Sequence, residues 1–157
     1  MSVDAGLRTR IENLLADCAH AVDDDELERW PGFFTGDAVY QIITRENHDA
    51  GLPMAIMICE GRGMMADRVM ALRTANVYEP HTYCHLLGRT ALSEDGEGIA
   101  ARTNFSVVRT MQDGRMETFA AGKYLDRIAL ADGAPLLADR RVVLESRRID
   151  ILLVYPL

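Results

Sequence analysis

Long apolar runs are missing from this chain. None approaches the roughly 20 residues that a membrane span needs, so no membrane association is expected. Residues 1–10 contain no apolar h-region, so no secretory signal is visible. Cysteine is scarce: Cys18, Cys59 and Cys84 are odd in number and lack framework spacing. That excludes a disulfide scaffold and fits free thiols in a reducing cytoplasm. Positive charge is in deficit too. A net charge of -7 is unsuited to nucleic acid, whose phosphates require a basic surface. The G-x-S-x-G elbow, the Walker loop and H-E-x-x-H are all absent, which removes the chemistries they serve. The run Asp23 to Glu26 lacks the alternating Asp/Asn spacing and the glycine of a calcium loop, so it reads as helix capping.

What remains is an ordinary globular composition, 48% hydrophobic and 26% charged over 157 residues. It predicts one domain spanning residues 1–157 with a real core. Leu7, Ile11, Leu14, Leu15, Cys18 and Val22 recur at helical spacing, with Arg8, Glu12 and Asp17 opposite. A second helix carries Leu27, Trp30, Phe33 and Phe34 inward and is short, kinked or restarted at Pro31. Thr35-Gly36-Asp37 turns into a strand over Ala38 to Thr44, and Arg45 to Pro53 reads as a loop. Met54 to Glu60 reads as a buried strand, and Gly61 to Arg73 as a third helix.

From His81 onward the pattern changes. Glu94 to Gly98, Gln112-Asp113-Gly114 and Ala131 to Pro135 are turn signals, because Asp-Gly tolerates the positive φ of tight reversals. Ile99, Ala101, Thr103, Phe105 and Val107 alternate with Arg102, Asn104 and Ser106, a period of two with one face on a core. Four antiparallel strands in a meander are expected. Helices first and a curled sheet last make an α+β cone with an apolar interior.

Several motifs invite chemistry. Gly61 to Ala66 fits G-x-G-x-x-A, but no parallel strand ending in an acid follows, so a tight strand-to-helix turn is the better reading. Cys18/His20 and Cys84/His85 do not form an iron–sulfur spacing, since adjacent strand residues face opposite ways. His81 and His85 share a strand face about 13 Å apart, too far for one metal. Tyr40, Tyr83, His85, Tyr124 and Asp126 could together move a proton in a stand-alone pocket enzyme, an isomerase or dehydratase. The eight methionines read as core filler. Arg140, Arg141, Arg147 and Arg148 suit intersubunit ion pairs, and the apolar tail Ile151-Leu152-Leu153-Val154-Tyr155 suits burial against a neighbour.

Blocks in order along the chain are similar to a known family: ERWPGFF (28–34), RENH with GLP (45–53), MMADRVMALRTANVY (64–78), HLLG (85–88), GKYLD (122–126), RVVLE (141–145) and IDILLVYPL (149–157). The chain resembles the beta (small) subunit of aromatic-ring-hydroxylating oxygenases, the Rieske non-haem iron dioxygenases. It looks most similar to the branch acting on terephthalate, salicylate or anthranilate. The resemblance implies a cone like nuclear transport factor 2 and a structural, non-catalytic role. It implies a homotrimer when alone and an alpha3beta3 assembly with a large (alpha) subunit. The Rieske [2Fe-2S] cluster and mononuclear Fe(II) would then sit on the alpha subunit, with no cofactor in this chain. The Gly61/Gly63 pair departs from the family pattern.

Overall fold

A computed structural model describes residues 3–96, 98–150 and 153–157. Helix α1 (Ala5–Asp23) starts where the Asp4 carboxylate accepts the Leu7 N–H at 3.0 Å, satisfying one orphan amide of the first turn. Its buried stripe is the one the spacing predicts, with Ile11, Leu14, Leu15, Cys18 and Val22 inward. The following segment, Leu27–Phe33, is a 3₁₀ helix with Pro31 inside it. No side chain of the acidic run caps that helix. Asp23 instead reaches His85, and Asp25 joins Glu28 on Arg73.

Strand β1 (Phe34–Thr44) begins directly at Phe34, so Thr35 to Asp37 form a bulged stretch of strand rather than a turn. The expected loop after it contains a short helix, α2 (Arg45–Asp49), capped by Thr44. Strand β2 is only Met57–Glu60 and lies at the sheet edge, so it is not the buried strand expected over residues 54–60. Met54, Ile56 and Ile58 are exposed. Helix α3 (Arg62–Thr74) starts from Gly61 at φ 90, a left-handed turn that favours glycine. It leads into the antiparallel strand β3 (His81–Leu87), not into a parallel crossover.

The second half has five strands where four were expected. The stretch before the first turn is divided into β3 and β4 (Ala91–Asp95), both paired with β5 (Gly98–Met111). The register slips by one residue between them, and Thr90 turns inward to meet the Thr103 hydroxyl at 2.8 Å. Strands β6 (Met116–Ala131) and β7 (Ala134–Leu144) complete the meander. Asp132 and Gly133, at φ 50 and 80, form the two-residue reversal between them. Gly122 in β6 is required by close approach: a Cβ there would lie 2.0 Å from the Val143 carbonyl oxygen.

The sheet runs β2-β1-β7-β6-β5-β3, antiparallel throughout except where β1 lies parallel to β7. One face collects Ile99, Ala101, Phe105, Val107, Tyr124, Ile128 and Val142. That face curls around α1 and the 3₁₀ helix and gives the α+β cone. Past the Glu145 N–H, which donates to the Ala121 carbonyl at 2.9 Å, the described residues 146–150 and 153–157 form no strand and lie at its open end, with Pro156 and Leu157 buried.

Candidate functional site

The interior of the cone is packed rather than hollow. At its base Trp30, Phe34 and Tyr40 meet edge to face, with centroids 5.0 to 6.1 Å apart. Higher up, the Phe105 and Tyr124 rings stack at 4.3 Å. The Arg140 guanidinium lies 3.9 Å from the Tyr124 centroid and donates Nε–H and Nη2–H to the two Asp126 oxygens at 2.9 and 2.8 Å. Register makes this pair: Asp126 and Arg140 are direct cross-strand neighbours on β6 and β7. Burial pushes the Asp126 carboxyl up while Arg140 pulls it back down. Burial opposes the charge on Arg140, but Asp126 and its hydrogen bonds prevail and hold the guanidinium charged. Burial likewise raises the Cys18 thiol to about 11 and the Tyr40, Tyr83 and Tyr124 phenols above their ordinary range.

The tail closes this interior. Tyr40 Oη donates to the Leu157 carbonyl at 3.0 Å and accepts the Leu157 N–H at 2.8 Å. Leu157, just beyond the apolar stretch expected to bury against a neighbour, lies in this chain's own core at 3% exposure. Leu153, Val154 and Tyr155 are partly buried on the same chain, whereas Ile151 and Leu152 lie outside the described residues. Arg140, named with the surface arginines, faces the core. Arg141 bonds His48 at 3.1 Å, Arg147 lies 3.6 Å from Glu46, and Arg147 and Arg148 are exposed.

The five acid–base candidates do not share a cavity. Tyr40 is engaged by Leu157, Tyr124 by Phe105 and Arg140, and Asp126 by Arg140. His85 donates from Nδ1 and from its backbone N–H to the Asp23 carboxylate, at 2.6 and 2.8 Å. Of these five, Tyr83 alone keeps a buried side-chain polar atom without a hydrogen-bond partner among the described residues. It stands in a cluster at the open end with His81, Arg109, Phe119, Tyr78 and Tyr155. Sequence reading missed Arg109 as an inward residue, although it continues the buried phase of Ile99 to Val107 along β5. A cavity of about 30 Å³ beside Phe119, Leu144, Leu153 and Leu157 has room for water but not for a ring. No group of three or more His, Cys, Asp or Glu is gathered as a metal site among the described residues.

Comparison with known proteins places this architecture. Residues 18–151 match the family described as "Ring hydroxylating beta subunit". Subunit beta 2 of the terminal oxygenase component of terephthalate 1,2-dioxygenase from Comamonas sp is 41% identical over 140 residues, covering 88% of this chain and 91% of the relative. The anthranilate 1,2-dioxygenase small subunit of Burkholderia cepacia is 40% identical, covering 87% and 85%. A crystal structure assigned as the beta subunit of an aromatic-ring-hydroxylating dioxygenase from Novosphingobium aromaticivorans superposes with a TM-score of 0.87 at 40% identity, over 96% of this chain and 97% of that one. Naphthalene 1,2-dioxygenase shares the fold at a TM-score of 0.80 and 19% identity, over 99% and 88%. The cone, its family match and these relatives agree: this chain belongs to the ring-hydroxylating dioxygenase beta subunit family.

Proposed function

We propose that this chain is the structural small subunit of a cytoplasmic dioxygenase acting on an aromatic carboxylate, and that it holds the catalytic large subunit in an alpha3beta3 assembly. The observation that carries this reading is the 41% identity, over nearly the whole chain, to the beta subunit of a terephthalate dioxygenase. The Rieske [2Fe-2S] cluster and mononuclear Fe(II) belong to the large subunit in this reading, and the small subunit supplies no catalytic residue. The interior supports it: Tyr40, Tyr124 and Asp126, three of the five acid–base candidates, are tied up in packing and pairing rather than gathered on a cavity, which disfavours the stand-alone isomerase or dehydratase. The exposed apolar side chains Met54, Ile56 and Ile58 along the free β2 edge, with Arg141, Arg147 and Arg148 nearby in sequence to the tail, supply contact surface. One domain over residues 1–157 acts as the assembling unit.

Co-expression with the large subunit of a terephthalate or anthranilate dioxygenase tests the proposal. The expected outcome is a co-purifying complex with equal numbers of both chains that oxidises terephthalate or anthranilate. The small chain alone is expected to run as a trimer in light scattering. A chain that stays monomeric and never retains the large subunit would overturn the assembly role.

A further inference from the structure

The open end of the cone holds four buried polar atoms without a hydrogen-bond partner among the described residues, His81 Nε2, Tyr83 Oη, Arg109 Nε and Arg109 Nη1; the last lies 3.3 Å from an Asp150 oxygen, which leaves three unmet. Their residues are 8, 5 and 3% exposed. They are also neighbours. His81 and Tyr83 lie two apart on the inward face of β3 with ring centroids 5.4 Å apart, and Tyr83 pairs across the ladder with Arg109. Folded proteins leave few such groups, because an unmet buried donor or acceptor weakens the fold. Three together describe the complement of a missing partner.

The chemistry of that partner follows from the atoms. His81 Nδ1 lies 2.7 Å from the Glu79 carbonyl oxygen, which can only accept, so Nδ1 carries the proton. In the neutral ring Nε2 is then an acceptor, Arg109 Nε is a donor, and Tyr83 Oη can be either. One hydroxyl group has the donor and acceptor capacity to meet all three. The surroundings call for an aromatic ring beneath it: Tyr83 and Phe119 stack at 5.3 Å, and Tyr155 stands edge-on to both His81 and Tyr83. Charge selects against an anion. The Arg109 guanidinium is already bonded to Glu117 and lies 3.3 Å from Asp150, so two carboxylates flank one cation.

Tyr155 brings a phenol ring to this place but does not satisfy it. Its hydroxyl bonds the Tyr78 hydroxyl at 3.0 Å instead. We propose that the open end of the cone is a binding site for a neutral hydroxylated aromatic, such as a phenol, which displaces Tyr155 and meets His81, Tyr83 and Arg109 with its hydroxyl. Among the described residues the Tyr155 side chain is held by the Tyr78 hydroxyl and by ring contacts, while Leu157 is anchored separately on Tyr40, so displacing the Tyr155 ring is a local opening. Competition with a tethered ring keeps the affinity weak, at about millimolar. The site is complete within this chain, so it can fail while the assembly with a large subunit stands.

Phenol titrated into the intact, ¹⁵N-histidine-labelled chain tests this, with the His81 signal assigned by its loss in His81→Gln. A saturating shift at His81 Nε2 is expected, with benzene, which lacks the hydroxyl, and benzoate, whose charge meets Glu117 and Asp150, each binding at least about tenfold more weakly. Tyr83→Phe keeps the ring and should weaken phenol about tenfold while sparing benzene. Tyr155→Ala should tighten phenol. No saturable shift in either the unaltered chain or Tyr155→Ala overturns the site. So does equal binding of phenol and benzene in the unaltered chain, which decides the matter even if Tyr83→Phe does not fold.

Discussion

Arg140 and Asp126 form a fully desolvated ion pair at the centre of the core, with side chains 3% and 0% exposed. Such a pair gains little over well-packed apolar residues, because desolvation offsets the attraction. Breaking it from one side is different, since the survivor is left charged and unpaired. Arg140→Met should therefore destabilise the chain by about 3–5 kcal/mol, whereas Arg140→Met with Asp126→Leu should recover most of that loss. Urea unfolding of the two variants checks it, and a double variant no better than the single one would contradict the account. The pair was partly readable beforehand: Asp126 shares the phase of Tyr124 and Ile128, and Arg140 that of Val142 and Leu144. Charge argued for the surface and period for the core, and the period prevailed because each charge meets its partner in register.

At the scale of elements, the tail is where local reading and packing part. Its apolar stretch suggests a neighbour, yet Leu157 lies in the chain's own core and is tied to Tyr40 through both backbone groups. Leu157→Ala should lower unfolding stability by about 2–5 kcal/mol, the range for large-to-small changes in a core. It should leave the oligomeric mass measured by light scattering unchanged. A fall in mass without a fall in monomer stability would return Leu157 to an interface role. The division of β3 from β4 has a similar origin. Alternation continues through both, and only pairing with β5 exposes the one-residue slip at Thr90.

For the molecule as a whole, the buried acids make stability depend on alkaline pH. Burial raises the Cys18 thiol from its ordinary 9.0 to about 11. The folded chain thus keeps a proton that the unfolded chain gives up first. The contribution is fully present below pH 9 and is lost as pH rises toward 11, by about 2–3 kcal/mol. Tyr40 and Tyr124, held up by the same burial, deepen the loss at higher pH. Urea unfolding at pH 8 and pH 10.5 should show the decline, and Cys18→Ala should reduce it. An unchanged slope in Cys18→Ala would remove the thiol from the explanation.

The sequence by itself determined which residues face inward along α1 and β5, where the Asp-Gly reversals fall, and the family. These are properties of short stretches: side-chain direction follows the helix or strand period, and turn geometry follows the φ preferences of a few residues. Only the tertiary structure decided that β1 joins β7 in parallel, that Arg140 turns to Asp126, and that Leu157 seals the interior. It also assembled His81, Tyr83 and Arg109 at the open end. Those outcomes rest on contacts between distant parts of the chain, Tyr40 and Leu157 being 117 residues apart. No local pattern carries such information, because it arises from which strands become neighbours and what space they leave to fill.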